Sequence, residues 1–398
     1  MYKAFKYKLK PNKEQIEIFS GWLGSSRWIW NWALSANKMQ YELYKKFIFK
    51  FDLKKELPRL KEQFSWLKEI PSQALQNKIL DFDLALTRVW KQGNGFPKYK
   101  SKKNDESIRI DQMNGHIKPN KTQIKIPKIG WVKWNKHRPL EGKLKHITIK
   151  QENNDWYVVC VCELPDKIID TNICETDILG IDMGFKDFIT DNLGNKISTP
   201  KFYMKWGKKL KRKQKQLSRK KKGSKNRLKN KDQVRKIHLK IRNKRYDFLH
   251  KTSMAIAKQY KLVGVEDLNI EAMKKRYGKT INDLGWSSFI HLLSYKTSIC
   301  KIGRFYPSSQ ICHSCGNKKK MPLEERVYKC SCGVSIDRDH NAAINIRREA
   351  IKIVNRNGTF RIQACGDASG GEKAIDFSSY VSEKQEKILA IGKEACSL

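Results

Sequence analysis

The sequence of 398 residues contains few acids, and it lacks any apolar run of the roughly 18 residues that a membrane-spanning helix needs. Its opening, MYKAFKYKLKPNKEQ, also lacks the apolar core of a signal peptide. We therefore expect a cytoplasmic protein with no membrane partner. The 83 Lys and Arg residues outnumber 40 Asp and Glu, which gives a formal net charge of +43. Such a surplus repels itself, and a polyanion such as nucleic acid is the partner that neutralises it.

The chain is too rich in aromatic residues to be a disordered polycation. It has 11 Trp, 14 Tyr and 16 Phe, although hydrophobic residues as a whole make up only 39%. At roughly 150 residues per domain, this length predicts several folded modules beneath a basic surface. The ten cysteines are expected to bind metal where they cluster, because disulfides are rare in a reducing compartment.

Residues 11–96 have the apolar spacing of helices. Asn12, with Gln15 three residues later, resembles a capped helix start, and Pro71 precedes a second long helix that stops at Gly93. The segment contains four closely spaced tryptophans, which are Trp22, Trp28, Trp30 and Trp32. Such rings can stack on nucleobases, but helical spacing favours a place in the hydrophobic core.

From Phe96 to about Leu164 the pattern alternates as in β-strands. The stretches HITIKQE and WYVVCVCEL flank Asn153-Asn154, which predicts a hairpin. We expect a small antiparallel β-barrel or sandwich. Cys160 and Cys162 lie two apart on one strand, so we expect them in the core rather than on a metal.

A strongly basic segment spans residues 205–246, with 21 Lys or Arg and a single acid, Asp232. Its charges are explained equally well by a solvent-exposed face and by a surface that binds the phosphates of a nucleic-acid backbone. From Gly366 onwards the composition predicts a weakly ordered tail. Apolar residues of the basic segment predict two helices with an apolar stripe, joined near Gly223-Ser224: Leu210, Leu217, Leu228, Ile237 and Ile241.

Four cysteines form two close pairs. Cys312 and Cys315 are spaced C-x2-C, and after fourteen intervening residues Cys330 and Cys332 follow as C-x-C. Four thiolates complete the tetrahedral shell of a structural zinc site and leave no open position for catalysis. The sequence thus predicts a zinc ribbon that stabilises the fold, and any chemistry must lie elsewhere.

Three acids are candidates for that chemistry. Asp182 lies in an apolar strand pattern where Gly184 allows a close approach, Glu266 follows the run LVGV, and Asp339 begins a helical pattern after the cysteines. A buried carboxylate is costly without a cation or hydrogen-bond partners, although each acid alone could simply end a strand. If the fold brings all three together, they form an oxygen site for two magnesium ions, suited to phosphodiester hydrolysis.

In their order along the chain, the motifs resemble the TnpB family, RNA-guided DNA endonucleases encoded by insertion sequences and related to type V CRISPR effectors. GIDMG, GVEDLNI and DRDHNAAINI resemble the three RuvC motifs, with YPSSQICHSCG and YKCSCG between the last two. MYKAFKYKLKPNKEQ, GSSRWIWNWAL, GFPKYKSKK, KIGWVKWNKHRPLEGKLKHITIK and ACGD also resemble family landmarks. The sequence departs from the pattern in its C-x-C pair and in Gln310, where a basic residue is expected.

The resemblance implies an α/β multidomain protein. An RNase H-like RuvC nuclease domain would carry an inserted zinc ribbon, beside an antiparallel wedge β-barrel and a helical recognition lobe. The implied division is the following: first wedge strand 1–10; recognition lobe 11–96; remainder of the wedge barrel 97–172; RuvC domain 173–300 with the basic hairpin 205–246; zinc ribbon 301–335; third RuvC motif and closing helix 336–365; tail 366–398.

The resemblance also assigns the acids. Asp182, Glu266 and Asp339 match the family's catalytic, magnesium-binding residues. Asp337 is the alternative to Asp339, which is favoured because it precedes Asn341 of the NAA motif by two residues. The implied cofactors are structural zinc and two catalytic magnesium ions.

The implied function is cleavage of double-stranded target DNA beside a short motif. One protein molecule would bind a guide RNA transcribed from the transposon end. Base pairing between RNA and DNA would supply the sequence specificity, and basic residues would bind the nucleic-acid backbone. Lys98 and Arg138 are candidate RNA contacts, each equally explained as a solvated cation. The alternatives are a nuclease-dead RNA-guided repressor, which the three acids disfavour, a guide-free transposase, and a miniature type V CRISPR effector with RNA from an array.

Overall fold

The structure is a computed structural model that describes residues 2–102, 107–112, 115–152, 155–165, 172–322, 324–358 and 361–363. Contacts between Cα atoms divide the chain into two compact units, Met1–Ile168 and Ile169–Leu398. The tail expected from Gly366 and the ACGD motif lie outside the described residues. No helix in the described part of the chain is long and apolar enough to cross a membrane.

The first unit opens with strand β1 (Tyr2–Lys10), and four helices follow: α1 (Lys13–Tyr44), α2 (Lys50–Lys55), α3 (Leu57–Gln63) and α4 (Ser72–Gln92). The predicted cap of α1 is confirmed, because Asn12 Oδ1 accepts from the Gln15 N–H at 2.8 Å and Gln15 Oε1 from the Asn12 N–H at 3.1 Å. Helix α4 ends at Gly93 with a left-handed φ of 64°. The tryptophans belong to the core: Trp22 and Trp30 are buried in it, and Trp28 and Trp32 pack against it.

Six more strands extend β1 into an antiparallel sheet: β2 (Ser107–Asp111), β3 (Lys118–Pro119), β4 (Gln123–Ile126), β5 (Gly130–Asn135), β6 (Lys143–Glu152) and β7 (Asp155–Glu163). The strand order is β2-β6-β7-β1-β5-β4-β3. Strand β1 therefore pairs with β7 and β5, which come after the four helices in the sequence. The pairing of Glu152 with Asp155 confirms the predicted hairpin. Its Asn153-Asn154 turn lies outside the described residues. Cys160 and Cys162 are buried core residues, as predicted.

The second unit contains a mixed sheet of five strands: β9 (Ile178–Asp182), β10 (Asp187–Asp191), β11 (Lys196–Ser198), β12 (Leu262–Glu266) and β13 (Ser298–Ile302). The order is β11-β10-β9-β12-β13. Strand β12 runs parallel to β9 and β13, whereas β10 runs antiparallel to β9 and β11. Two small pairs join β8 (Asn172–Cys174) with β16 (Arg361–Gln363) and β14 (Val327–Lys329) with β15 (Ser335–Asp337).

The helices of this unit are α5 (Phe202–Ser218), α6 (Lys225–Gln259), α7 (Ile270–Leu284), α8 (Trp286–Ser294) and α9 (Arg338–Asn357). Helices α5 and α6 form a basic hairpin whose apolar contact contains Leu210, Ile237 and Ile241. The prediction that Leu228 belongs to this stripe is wrong, since it is 59% exposed. In its place, two polar neighbours face α5. Arg227 donates hydrogen bonds to the carbonyl oxygens of Leu217 and Lys220, and Asn230 donates to that of Lys213.

Candidate active site

Two of the predicted acids end adjacent parallel strands. Asp182 is the last residue of β9 and Glu266 the last residue of β12, and the strands pair in register as far as Ile181 with Val265. The carboxyl ends of parallel strands lie at one edge of a sheet, where open α/β sheets place their ligand sites. Both acidic side chains are partly buried at this edge.

Glycines bring helix α9 directly onto these two strands. Gly180 and Gly264 pair with each other, and each lies two residues before an acid, on the same face of its strand. A Cβ on Gly180 would lie 2.2 Å from the Ala343 carbonyl oxygen, and one on Gly264 would lie 2.8 Å from the Ala350 Cβ. Helix and sheet are therefore in contact at positions where a side chain would not fit.

This contact brings Asp339 near enough to Asp182 for its charge to act on that carboxyl. Asp339 lies in the first turn of α9, four residues or about 6 Å before Ala343, and Asp182 lies two residues or about 6.6 Å beyond Gly180. Burial, followed by the charges of Glu266 and Asp339, raises the pKa of the Asp182 carboxyl well above its ordinary value. The structure thus brings the three predicted acids together at one sheet edge.

Asp337 has a different position. Its Oδ1 accepts hydrogen bonds from the N–H groups of Asp339 at 3.0 Å and His340 at 3.1 Å, so it caps α9. Its Oδ2 lies 2.7 Å from Lys196 Nζ. Although burial opposes ionisation, Lys196 and the helix N–H groups hold the pKa of Asp337 below its usual range. Asp337 thus fixes the helix start, while Asp339 is the acid whose charge acts on Asp182.

The surroundings of the acids are polar. Ser308 Oγ donates to Glu266 Oε1 at 2.5 Å; burial raises the pKa of Glu266, and this hydrogen bond opposes the rise. Arg338 donates to the Pro322 carbonyl oxygen at 2.7 Å, and its charge counteracts the raised pKa of Asp182. Three neighbouring carboxylates repel one another when ionised, and a bound cation relieves that repulsion. Their oxygens are the hard ligands that magnesium prefers.

The four cysteines of the two pairs meet, with all four Sγ atoms within 4.8 Å of one another. Cys312 Sγ lies 3.7 Å from Cys332 Sγ, and Cys315 Sγ lies 3.5 Å from Cys330 Sγ. A tetrahedron with Zn–S bonds of about 2.3 Å has S···S edges of about 3.8 Å. The cluster therefore has the ligands and the size to bind zinc.

Two buried asparagines of α9, Asn341 and Asn345, bind the loop that leads to the first cysteine pair, a role that was not predicted from the sequence. Asn341 accepts from the His313 N–H at 3.0 Å and donates to the Ile311 carbonyl oxygen at 2.8 Å. Asn345 donates to the carbonyl oxygens of Ser308 at 2.8 Å and Ile311 at 2.7 Å. Asparagine is unfavourable inside helices unless its side chain has such a partner. Two asparagines four residues apart in a helical segment were therefore the sequence signal that this face of α9 binds polar groups.

The candidate RNA contacts Lys98 and Arg138 lie in the first unit, and both side chains are exposed. The Lys98 carbonyl oxygen accepts from Trp30 Nε1 at 3.1 Å, and the Arg138 carbonyl oxygen accepts from the Tyr7 hydroxyl at 3.1 Å. The Arg138 guanidinium lies 4.8 Å from the centre of the Phe5 ring. Backbone and ring contacts therefore fix where these cations emerge on the surface.

Three family models match the chain. The model for "Probable transposase" (OrfB_IS605) matches residues 161–277, and the model for "Cas12f1-like, TNB domain" matches residues 286–346. A third, described as "Helix-turn-helix domain", matches residues 1–46. The second match contains the four cysteines and Asp339.

Curated relatives match over nearly the whole chain. A protein of Streptomyces pristinaespiralis named "Putative RNA-guided DNA endonuclease" is 28% identical over 401 residues, covering 96% of either chain. "Putative RNA-guided DNA endonuclease InsQ" of Escherichia coli is 28% identical over 369 residues, covering 86% of this chain and 91% of its own. Among solved structures, a chain of the Cas12f1–sgRNA–target DNA complex has a TM-score of 0.54 at 18% identity, covering 84% of this chain and 83% of that one. This likeness supports a shared mixed α/β fold.

Proposed function

Because this chain belongs to the TnpB family, we propose that it is an RNA-guided DNA endonuclease that cuts target DNA beside a short motif. The observation that carries the proposal is the meeting of Asp182, Glu266 and Asp339 at one sheet edge. A single such site would cut both target strands in turn.

The elements then take the following roles. The five-stranded sheet with α9 is the RuvC nuclease domain, and the segment that contains the cysteine cluster is a zinc ribbon. The seven-stranded sheet is the wedge barrel, and α1 to α4 form the recognition lobe. The basic hairpin of α5 and α6 holds nucleic-acid backbone, because its many cations can replace the counterions of phosphates without reading sequence.

The three acids would hold magnesium, because carboxylate oxygens are the hard ligands that this ion prefers. Magnesium held there would activate the attacking water and stabilise the leaving oxygen. The chain's own residues set the geometry: Asp182 and Glu266 are fixed by two paired strands, and Asp339 is fixed by α9, whose first turn Asp337 caps. Arg338 places a positive charge beside Asp182, where a phosphate would approach.

RNA that co-purifies with the protein tests the proposal. This RNA is sequenced, and the complex is then incubated with magnesium and a DNA library with a randomised motif beside a target matching the RNA. We expect cleavage next to one enriched motif, and none by the Asp182→Ala complex. Guided binding without cleavage by the wild type would favour the nuclease-dead repressor and contradict the proposal.

The same experiment separates the remaining alternatives. Cleavage or strand transfer without any RNA would identify a guide-free transposase. The fold shared with Cas12f1 also supports a miniature type V effector, which differs in the origin of its RNA. RNA that maps to a transposon end supports the proposal, whereas RNA that maps to a CRISPR array supports the effector.

A further inference from the structure

We propose that Ser308 is a positioning residue whose hydroxyl fixes the Glu266 carboxylate within the acid site. The inference rests on the proposed function, because it takes Glu266 as a member of that site. Ser308 lies in the loop that leads from β13 to the first cysteine pair, and none of the motif acids is its neighbour in sequence.

The contact between the two side chains is short and shielded from water. Ser308 is 5% exposed, and its Oγ donates a hydrogen bond to Glu266 Oε1 at 2.5 Å. A carboxylate has about four lone-pair sites on its two oxygens. One hydrogen bond at Oε1 therefore leaves Oε2 free to bind a cation while it restricts rotation of the carboxylate.

Ser308 is itself held in place by the helix that carries Asp339. Its carbonyl oxygen accepts from Asn345 Nδ2 at 2.8 Å, and Asn345 is only 2% exposed. Its N–H donates to the Tyr306 carbonyl oxygen at 2.9 Å. Helix α9 thus sets Asp339 directly and Glu266 through Asn345 and Ser308, which keeps the two acids in a fixed relation.

The neighbouring hydroxyl does not share this role. Ser309 Oγ lies 3.4 Å from Arg338 Nη2, at the edge of hydrogen-bond distance. The loop geometry therefore singles out Ser308 as the hydroxyl that acts on Glu266.

The test compares guide-loaded complexes of the wild type, Ser308→Ala, Ser308→Thr and the control Ser294→Ala. Ser294 is exposed, and its hydroxyl bonds only within its own helix, to the His291 carbonyl oxygen. One readout is the Mg²⁺ concentration for half-maximal cleavage. The other is Mn²⁺ binding by electron paramagnetic resonance, with the Asp182→Ala complex as the background from RNA. Thermal melting and target-DNA binding report on folding.

Loss of a hydrogen bond that orients a metal ligand weakens metal affinity about 10- to 100-fold. We expect Ser308→Ala to need at least about tenfold more Mg²⁺ and to bind Mn²⁺ correspondingly more weakly, with target binding unchanged. Ser308→Thr keeps the hydroxyl and should restore both values, and Ser294→Ala should match the wild type.

Wild-type metal binding by Ser308→Ala would overturn the inference, as would equal impairment by Ser308→Thr. If the wild type binds Mn²⁺ but cuts no DNA, the proposed function fails, whereas the Mn²⁺ comparison still decides the role of Ser308.

Discussion

Replacing Gly180 by alanine should slow DNA cleavage, although residue 180 itself has no reactive group. The added Cβ would lie 2.2 Å from the Ala343 carbonyl oxygen and 2.6 Å from the Arg347 backbone nitrogen. Cβ atoms essentially never approach other atoms closer than 3.0 Å, and these backbone atoms cannot rotate away. Helix α9 must therefore retreat from β9 by about 0.8 Å, the difference between 3.0 and 2.2 Å.

Asp339 should move with the helix, because it lies one turn before Ala343. A misplacement on the order of 1 Å can lower an enzymatic rate about 100-fold. We expect guided cleavage by Gly180→Ala to fall by about 10- to 100-fold. Overpacking should lower the free energy of unfolding by about 1–3 kcal/mol.

Single-turnover cleavage at saturating target and unfolding in denaturant measure the two effects separately. Gly264→Ala should be milder, because its nearest contact, the Ala350 Cβ at 2.8 Å, is much less tight than the 2.2 Å contact at Gly180. Gly21→Ala is the control, since a Cβ there meets nothing within 4 Å. A folded Gly180→Ala complex that cuts at the wild-type rate would refute the role of this glycine in placing the acids.

Further predictions concern the cysteines, the helix cap and the basic hairpin. Cys312→Ala should release zinc and unfold the ribbon, and unchanged zinc content by metal analysis would contradict the site. Asp337→Asn should lose the ion pair with Lys196, which lowers the free energy of unfolding by up to about 1 kcal/mol. Its cleavage rate should stay within a few-fold of the wild type. Abolished cleavage would assign a metal-binding role to Asp337. Replacing the exposed Arg219, Lys221 and Lys222 by glutamine should weaken guide-RNA binding and reduce its log–log salt slope by about 2. An unchanged slope would show that these cations do not contact phosphates.

Local features of the fold were predictable where a few neighbouring residues determine them. The capping box of Asn12 and Gln15, the end of α4 at Gly93 and the hairpin before Asp155 all depend on short-range chemistry. The burial of Cys160 follows from alternation along one strand. Leu228 was predicted wrongly, because the apolar pattern of a helix does not tell which polar neighbours will face the partner helix.

The candidate site was predictable in its acids but not in what positions them. Asp182 and Glu266 end apolar strands, a local pattern, whereas the tight contacts of Gly180 and Gly264 with α9 depend on which helix covers the sheet. Gly184 was expected to allow a close approach, and a Cβ there would lie 2.8 Å from the Asp187 carbonyl oxygen, a contact within its own turn rather than with α9. The contact of Ser308 with Glu266 joins residues 42 positions apart, so no spacing rule could have revealed it.

Cleavage by the three acid variants tests the central claim most directly. Guide-loaded complexes of Asp182→Ala, Glu266→Ala and Asp339→Ala are compared with the wild type on one matched target duplex, with binding measured in parallel. The account predicts that each variant binds the target as the wild type does and cuts neither strand. Cleavage at a near wild-type rate by any of the three would contradict the assignment of that acid.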